Sequence, residues 1–279
     1  MKQNKNRKLV VLLSAILLLA LGGVSLAVAS GGDQSSGHPL SRRQKCSYRG
    51  GETVEISTAK LIIEFNATDE DMGVHGAFDD SGWSELCVFD PNGRLILNVQ
   101  PQSQLKDLTM AGIFFESREP ELDEFSYEDL QANFPEGEYT VQAKSYDGTI
   151  LTGTAVFSHE VPEQPTITYP PLADEAEVAD EAVVSTADLV IEWEAVTQTI
   201  SGDAVTITGY EVIITQEEFE DPNGFSRPIF DVHVGPEQTS LSVPAEFLQP
   251  DTIYELEVLA LEESGNQTIT VGFFTTGAD

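Results

Sequence analysis

The stretch that decides the fold lies near the carboxyl terminus, where residues 248–276 read LQPDTIYELEVLALEESGNQTITVGFFTT. From Tyr254 to Ala260 alternate residues are apolar, which is the period of a β-strand with one buried face. The two residues between the first three apolar positions, Glu255 and Glu257, are predicted to face water. Thr268 to Thr275 supplies a further strand. The stretch therefore predicts two neighbouring strands of a sheet with one side in a hydrophobic core.

Strand and turn signals of the same kind recur toward the amino terminus, where Lys60 to Ala67 reads as a strand. Trp83 to Phe89 and Arg94 to Val99 are predicted to form a hairpin, because Asp-Pro-Asn-Gly between them suits a tight turn. Tyr139 to Tyr146 and Thr149 to Phe157 flank Asp147-Gly148, a dipeptide suited to a two-residue turn that would pair Tyr139 with Val156. The pattern predicts an antiparallel β domain.

A short helix and a domain boundary complete this organisation. Ser126 to Asn133 begins with a Ser-x-x-Asp cap and ends before Pro135, which predicts one or two helical turns. The stretch from His159 to Leu172 contains four prolines and marks a boundary. We therefore predict a signal peptide at 1–29, a flexible lead-in at 30–50, a β-sandwich domain at 51–160 and a second domain at 161–279.

The second domain resembles a fibronectin type III domain over about residues 163–277. Trp193, in the strand Leu189 to Ala195, stands where that family has its core tryptophan, and Tyr210 stands in the following strand. Leu248 to Tyr254 resembles the tyrosine corner, in which a tyrosine hydroxyl bonds to upstream backbone. The resemblance implies a seven-stranded sandwich that serves as a spacer or protein-binding module. One departure is the long acidic stretch Ala173 to Ala187, which we interpret as a solvated loop. The predicted fold class is therefore all-β, with two tandem antiparallel sandwiches of immunoglobulin-like or fibronectin type III kind.

The amino terminus has the features of an export signal. Residues 1–8 carry four positive charges, Leu9 to Leu21 is nearly all apolar, and Ala27-Val28-Ala29 fits a signal-peptidase site. The alternative is an uncleaved anchor, because Leu9 to Val28 is about long enough to span a bilayer. We predict cleavage after Ala29, a secreted or periplasmic protein and no membrane contact afterwards.

Two cysteines, Cys46 and Cys87, are the only ones in the chain. In an oxidising compartment they are candidates for a disulfide that closes a long loop. The alternative interpretation is a buried thiol at Cys87 and a cysteine in a mobile tail at Cys46. Neither belongs to a CxxC pair, so a metal or redox role has no support from spacing.

The candidate metal ligands are aspartates, since the chain lacks a histidine pair at metal-binding spacing. Asp69, Asp71, Asp79 and Asp80 flank a glycine-containing segment, and alternating carboxylates of this kind suit calcium. Val74 stands where an EF-hand loop needs glycine, so the segment is not an EF-hand. The alternative is a solvated acidic turn between two strands. Calcium is accordingly the one cofactor we consider, and we predict no other.

The net charge of the chain and the absence of catalytic motifs exclude several classes of function. The chain has 14 basic and 47 acidic residues, a net charge of −33, which becomes −37 without the four cations of the signal. Such a charge repels nucleic acid and anionic lipid. No nucleophile elbow, P-loop or dinucleotide fingerprint is present. We therefore predict a non-enzymatic binding or scaffolding protein whose partner is a protein or a cell-surface polymer. The alternatives are a carbohydrate-binding accessory module, a calcium-stabilised structural module and a carboxylate-based hydrolase.

Overall fold

The computed structural model describes residues 46, 48, 52–217, 219 and 227–278. The predicted signal peptide and all of the predicted lead-in except Cys46 and Tyr48 lie outside the described residues. Every described residue belongs to one compact unit, and the domain boundary near residue 161 stays a prediction. Within the described ranges, no helix has the length and apolar character that crossing a membrane requires.

The first half of the chain folds into strands with two short helices. These elements are β1 (Thr53–Glu55), β2 (Thr58–Asn66), β3 (Asp71–Phe89), β4 (Leu95–Val99), α1 (Ser103–Leu108), β5 (Met110–Glu116), α2 (Tyr127–Asn133), β6 (Gly137–Ser145) and β7 (Ile150–Phe157). The predicted helix is confirmed as α2, with Ser126 and Asp129 forming a capping box. Helix α1 was not predicted, and all of its residues are exposed or half-exposed.

The long strand β3 belongs to two layers of the first half. Its segment 71–79 pairs with β2 and β5, and after a register break between Asp79 and Trp83 its second segment pairs with β4 and β6. Side chains from both segments meet in one core that includes Ile63, Val74, Leu86 and Val141. The first half is therefore a sandwich in which a single strand contributes to both sheets, and its strands are antiparallel except for the parallel pairing of β1 with β7.

The two predicted hairpins have different outcomes. The turn after β3 is confirmed: the backbone N–H of Asp90 donates to Arg94, and Gly93 takes a positive φ of 76°. The predicted β6–β7 register is wrong by one residue, because Tyr139 pairs with Ala155. Ser145 and Thr149 enclose a three-residue loop with Gly148 at φ 94°, and the two-residue turn we expected is absent there.

The second half contains eight strands and a short 3-10 helix within the described residues. They are β8 (Ile167–Tyr169), the 3-10 helix (Ala176–Glu181), β9 (Val183–Val184), β10 (Val190–Trp193), β11 (Ile207–Gln216), β12 (Ile229–Val234), β13 (Ser240–Ser242), β14 (Ile253–Glu262) and β15 (Gln267–Thr276). Strands β8, β10 and β13 form a three-stranded sheet, and β12, β11, β14 and β15 lie side by side in the larger sheet. These seven strands form the fibronectin type III-like sandwich that the resemblance implied.

Two sequence-based expectations for this half are wrong. The acidic stretch Ala173 to Ala187 is not a solvated loop, because Ala179, Ala182 and Val184 are buried and the stretch forms a helix and strand β9 beside β15. Glu255 and Glu257 are buried although we predicted that they face water. Their side of the sheet carries a second apolar cluster made of Ile213, Leu259, Ile269 and Val271.

The sheets of the two halves are joined. Strand β2 of the first half pairs in parallel with β15 of the second, through Glu64 with Gln267, Phe65 with Thr268 and Asn66 with Ile269. We call this pairing, with the loop contacts around it, the seam. It makes one continuous sheet that runs from β1 to β12 across both hydrophobic cores.

Candidate functional site

The structure separates the four predicted metal-binding aspartates into two pairs. Asp69 lies in the turn before β3 and Asp71 is the first residue of that strand, whereas Asp79 and Asp80 follow further along it. Residues 71–79 pair regularly with β2, so eight residues of extended strand separate Asp71 from Asp79. At about 3.3 Å per residue this is about 26 Å, which is too far for the four carboxylates to share one ion.

Asp80 has a local structural role. Its carboxylate accepts hydrogen bonds from the backbone N–H of Ser57 at 2.9 Å and of Ser81 at 2.6 Å, and from both hydroxyls at 3.0 Å. Slight burial raises the pKa of Asp80, but these hydrogen bonds outweigh it and hold the pKa below its usual value. The carboxylate therefore fastens the segment before β2 to β3.

A different cluster forms around His75, which sequence spacing had left isolated. His75 lies in β3, and both nitrogens of its ring face carboxylates: Nε2 is 2.7 Å from Glu119 Oε1, and Nδ1 is 3.6 Å from Glu64 Oε2. The side chains of His75 and Glu64 are only 1% and 2% exposed. The three residues thus bring one imidazole and two carboxylates together in a nearly dry environment.

Strand geometry explains this convergence. Glu64 in β2 pairs with Gly73, and Ile62 pairs with His75, so the side chains of Glu64 and His75 project from the same face of neighbouring strands. Glu119 reaches them from the segment after β5 because Gly73 has no side chain. A Cβ at Gly73 would lie 2.6 Å from Glu119 Cγ, so any larger residue there would displace Glu119.

Burial and neighbouring charges raise pKa values in and beside the cluster. Burial raises the pKa of Asp71 to about 7, with further contributions from Glu119, Asp69 and Glu64. Burial is also the main reason that the pKa of Glu64 is raised. For His75, burial lowers the pKa, but the hydrogen bond that its ring donates to Glu119 and the charge of Glu64 raise it above its ordinary value. Asp71 therefore belongs electrostatically to the His75 cluster.

Two atoms of this cluster are left without hydrogen bonds. Glu64 Oε1 and His75 Nδ1 are buried and have no hydrogen-bond partner among the residues that the structure describes. Buried polar atoms are normally paired, so this is a position where a proton or a cation would be bound. The sequence carried one signal of it, since Glu64 interrupts the apolar strand KLIIEFNA.

A second carboxylate–histidine group lies on β11 and β12. Glu211 Oε1 is 3.3 Å from His233 Nε2, and Asp231 is the third member. Burial and then the charge of Asp231 raise the pKa of Glu211 to about 8. The side chain of His233 is 64% exposed, so this group is open to solvent, whereas the His75 cluster is buried.

The two cysteines form a disulfide. Cys46 and Cys87 are joined with their Cα atoms 6.3 Å apart, and Cys87 lies within β3. Glu85 is close to both sulfur atoms, but bonded cysteines offer no thiolate to a metal. The bridge therefore fastens the segment before β1 to the first sandwich.

The three aromatic residues that carried the fibronectin type III resemblance, Trp193, Tyr210 and Tyr254, are buried in the core of the second half. Trp193 and Tyr210 pack with ring centroids 5.4 Å apart, and the Tyr210 hydroxyl accepts from the backbone N–H of Val196 at 2.8 Å. The Tyr254 hydroxyl accepts from the N–H of Gln249 at 2.8 Å, which is the geometry of a tyrosine corner. These residues have a structural role.

Both tryptophans of the chain are in cores, Trp83 in the first half and Trp193 in the second. A sugar-binding face needs exposed, coplanar aromatic rings. Neither tryptophan offers a ring to a sugar, and this weighs against the carbohydrate-binding alternative.

No family model and no curated protein matches the chain. Similar solved structures include the chicken CNTN1 FN1-FN3 domains, with a TM-score of 0.32, 15% identity, and coverage of 81% of this chain and 68% of that one. A two-domain fibronectin type III segment from chicken tenascin has a TM-score of 0.29, 9% identity, and coverage of 81% and 98%. A tetra-tandem repeat from the extending region of a large adhesion protein has a TM-score of 0.27, 12% identity, and coverage of 79% and 50%. The fold assignment rests on the strand order described above.

Proposed function

We propose that the protein is an extracytoplasmic, non-catalytic binding or scaffolding module whose two β-sandwiches act as one rigid body. The observation that carries this proposal is the seam. A flexible pair of domains would be joined by a linker, whereas here the backbones of β2 and β15 pair directly. A module of this kind presents its outer loops and edges at a fixed separation, which is what a spacer requires.

Side chains at the seam support rigidity. The loop between β14 and β15 contains Asn266, which is 1% exposed. Its amide donates to the carbonyl oxygens of Ser158 at 3.1 Å and Glu160 at 3.2 Å, and its Oδ1 accepts from the N–H of Ile63 at 2.7 Å. This loop, which in some fibronectin type III domains is an adhesive element, is therefore engaged within the protein. A partner would have to contact another surface.

The edge strand β12 is the surface that we propose for that partner. Among the residues that the structure describes, it ends the larger sheet and pairs with β11 alone, so its other side presents backbone groups for strand addition. Asp231 and His233 are exposed on it. Export is supported by the basic start, apolar run and Ala-Val-Ala site of residues 1–29.

The test combines localisation with site-specific cross-linking. Cells that express the full-length chain are fractionated, and we expect the mature protein outside the cytoplasm with an amino terminus at Ser30. A photo-cross-linking residue replaces His233 on β12 or, as a control, Leu108 on α1, which is 80% exposed. We expect a discrete cross-linked product from position 233 and none from position 108. Retention in the cytoplasm would overturn the export proposal, and equal products at both positions would overturn the β12 surface.

A further inference from the structure

We propose that Glu64 and His75 form a binding site for a divalent cation of the zinc class, in which Glu119 orients the imidazole. The proposal is independent of the partner-binding function above. It differs from the calcium site expected from the sequence in its ligands, its position and its metal.

The hydrogen bond between His75 and Glu119 selects the tautomer. Because Glu119 Oε1 lies 2.7 Å from Nε2, the N–H at Nε2 donates to this carboxylate. The lone pair of Nδ1 is then available on the opposite side of the ring, where Glu64 lies. Histidines that bind metals usually donate their second N–H to a carboxylate in this way, which fixes the ring and strengthens the ligand.

The distance between the two proposed ligands fits a metal better than a hydrogen bond. His75 Nδ1 and Glu64 Oε2 are 3.6 Å apart, beyond the usual hydrogen-bond range of about 2.7–3.2 Å. Two ligands that are each about 2.1 Å from a tetrahedral ion lie about 3.4 Å apart. An ion between them would satisfy Nδ1, and a Glu64 carboxylate that bound the ion through both oxygens would also satisfy Oε1, the other buried atom without a hydrogen bond.

The groups around the proposed site favour a cation, and their chemical type determines which divalent ion fits. Carboxylate oxygens face both nitrogens of the imidazole, because Glu119 Oε1 lies 2.7 Å from Nε2 and Glu64 Oε2 lies 3.6 Å from Nδ1. Calcium and magnesium prefer sets of oxygen ligands, whereas an imidazole with a carboxylate suits zinc and similar ions.

The site lies on the seam. The amide of Gln267, in β15, donates a hydrogen bond to Glu64 Oε2, so the second sandwich holds a ligand that belongs to the first. Metal binding at Glu64 would therefore stabilise the pairing of β2 with β15. This gives the proposed cation a structural role in coupling the two halves.

The experiment measures zinc binding by calorimetry on the purified full chain after treatment with chelator, with excess magnesium present. We expect one zinc site, weakened at least 100-fold in His75→Gln and in Glu64→Gln. In Glu119→Gln, which keeps an acceptor for Nε2, we expect a weakening of about 10-fold to 100-fold. The matched control is His159→Gln, at a half-buried histidine whose Nε2 lies 2.8 Å from the carbonyl oxygen of Phe134, and it should leave the affinity unchanged.

A second measurement applies even if substitution of a buried residue prevents folding. Nitrogen NMR of the wild-type histidine rings should show the Nδ1 resonance of His75 shifting on addition of zinc, with little change on addition of calcium. Zinc affinity no greater than that for magnesium, an unchanged affinity in folded His75→Gln, or a zinc-induced shift confined to other histidines would each overturn the proposal.

Discussion

Asn266 accepts a hydrogen bond from the backbone N–H of Ile63 at 2.7 Å, although the two residues are 203 positions apart. The same amide donates to backbone carbonyls of residues 158 and 160. A single side chain in the second sandwich thus satisfies backbone groups from two separate segments outside it. Because the amide is buried, these bonds are not easily replaced by water.

Replacement of Asn266 by alanine is expected to destabilise both halves. The change leaves the N–H of Ile63 and two carbonyls without partners, and each buried unsatisfied group costs about 1–3 kcal/mol. We expect a loss of at least about 3 kcal/mol in the free energy of unfolding. Hydrogen exchange followed by mass spectrometry should show faster exchange in β2 as well as in β15. The control is Asn92→Ala, in an exposed turn. Faster exchange confined to β15 would contradict the prediction that Asn266 couples the stability of the two sandwiches.

Reduction of the Cys46–Cys87 disulfide should destabilise the protein. The bridge spans 41 positions, and closure of a loop of this length is expected to contribute about 4 kcal/mol through the entropy of the unfolded chain. The midpoint of urea unfolding, measured with and without reductant, tests this. The Cys46→Ser/Cys87→Ser double variant should match the reduced protein and show no response to reductant. An unchanged midpoint would mean that the bridge contributes nothing to stability.

Local patterns predicted much of the fold. The alternation of Tyr254, Leu256 and Val258 identifies a strand because such a pattern depends on near neighbours alone. The helix after Ser126 was predictable for the same reason, since a capping box spans only four residues. The β6–β7 register was missed because an Asp-Gly pair occurs in loops of more than one length.

The candidate site could not be predicted in this way. His75 and Glu119 are 44 positions apart, and no local spacing rule connects them. Their meeting depends on the register of β3 and on the space left by Gly73, both of which are properties of the folded sheet. The burial of Glu255 and Glu257 was missed for a related reason. A polar–apolar alternation predicts two faces of a strand, but it does not say whether the polar face is covered.

The tyrosine corner provides a test of the second sandwich. In Tyr254→Phe the N–H of Gln249 loses its acceptor, and we expect a loss of about 1–2 kcal/mol. Tyr210→Phe should cost at least as much, because the N–H of Val196 that it leaves unpaired is buried. Tyr146→Phe, at a tyrosine that is 70% exposed, should be neutral. Urea denaturation measures the free energy of unfolding of all three variants. An unchanged free energy of unfolding in Tyr254→Phe would show that the tyrosine corner does not stabilise the second sandwich.

The pH dependence of stability is expected to follow the raised pKa of Glu211. Burial and the neighbouring Asp231 raise this pKa from 4.5 to about 8, so the folded protein binds a proton that the unfolded chain releases. The resulting stability is present below pH 4.5 and is lost as the pH rises from about 4.5 to 8. Glu211→Gln, which is neutral at every pH, should therefore resemble the wild type at pH 5. At pH 8 it should be more stable by about 2 kcal/mol, a value reduced for screening and for coupling to Asp231.

Asp80→Asn provides the control of opposite sign. The pKa of Asp80 is lowered, because hydrogen bonds from Ser81 and Ser57 outweigh a small burial effect, so its contribution to stability is present above the usual aspartate pKa and is lost in acid. This variant should be less stable than the wild type at pH 8, by a difference that shrinks as the pH falls below 4.

The measurement for both variants is urea unfolding between pH 3 and 8 with chelator present, so that metal binding at His75 does not contribute. If Glu211→Gln shows the same difference from the wild type at pH 5 and pH 8, its effect comes from packing, and titration of Glu211 does not control stability.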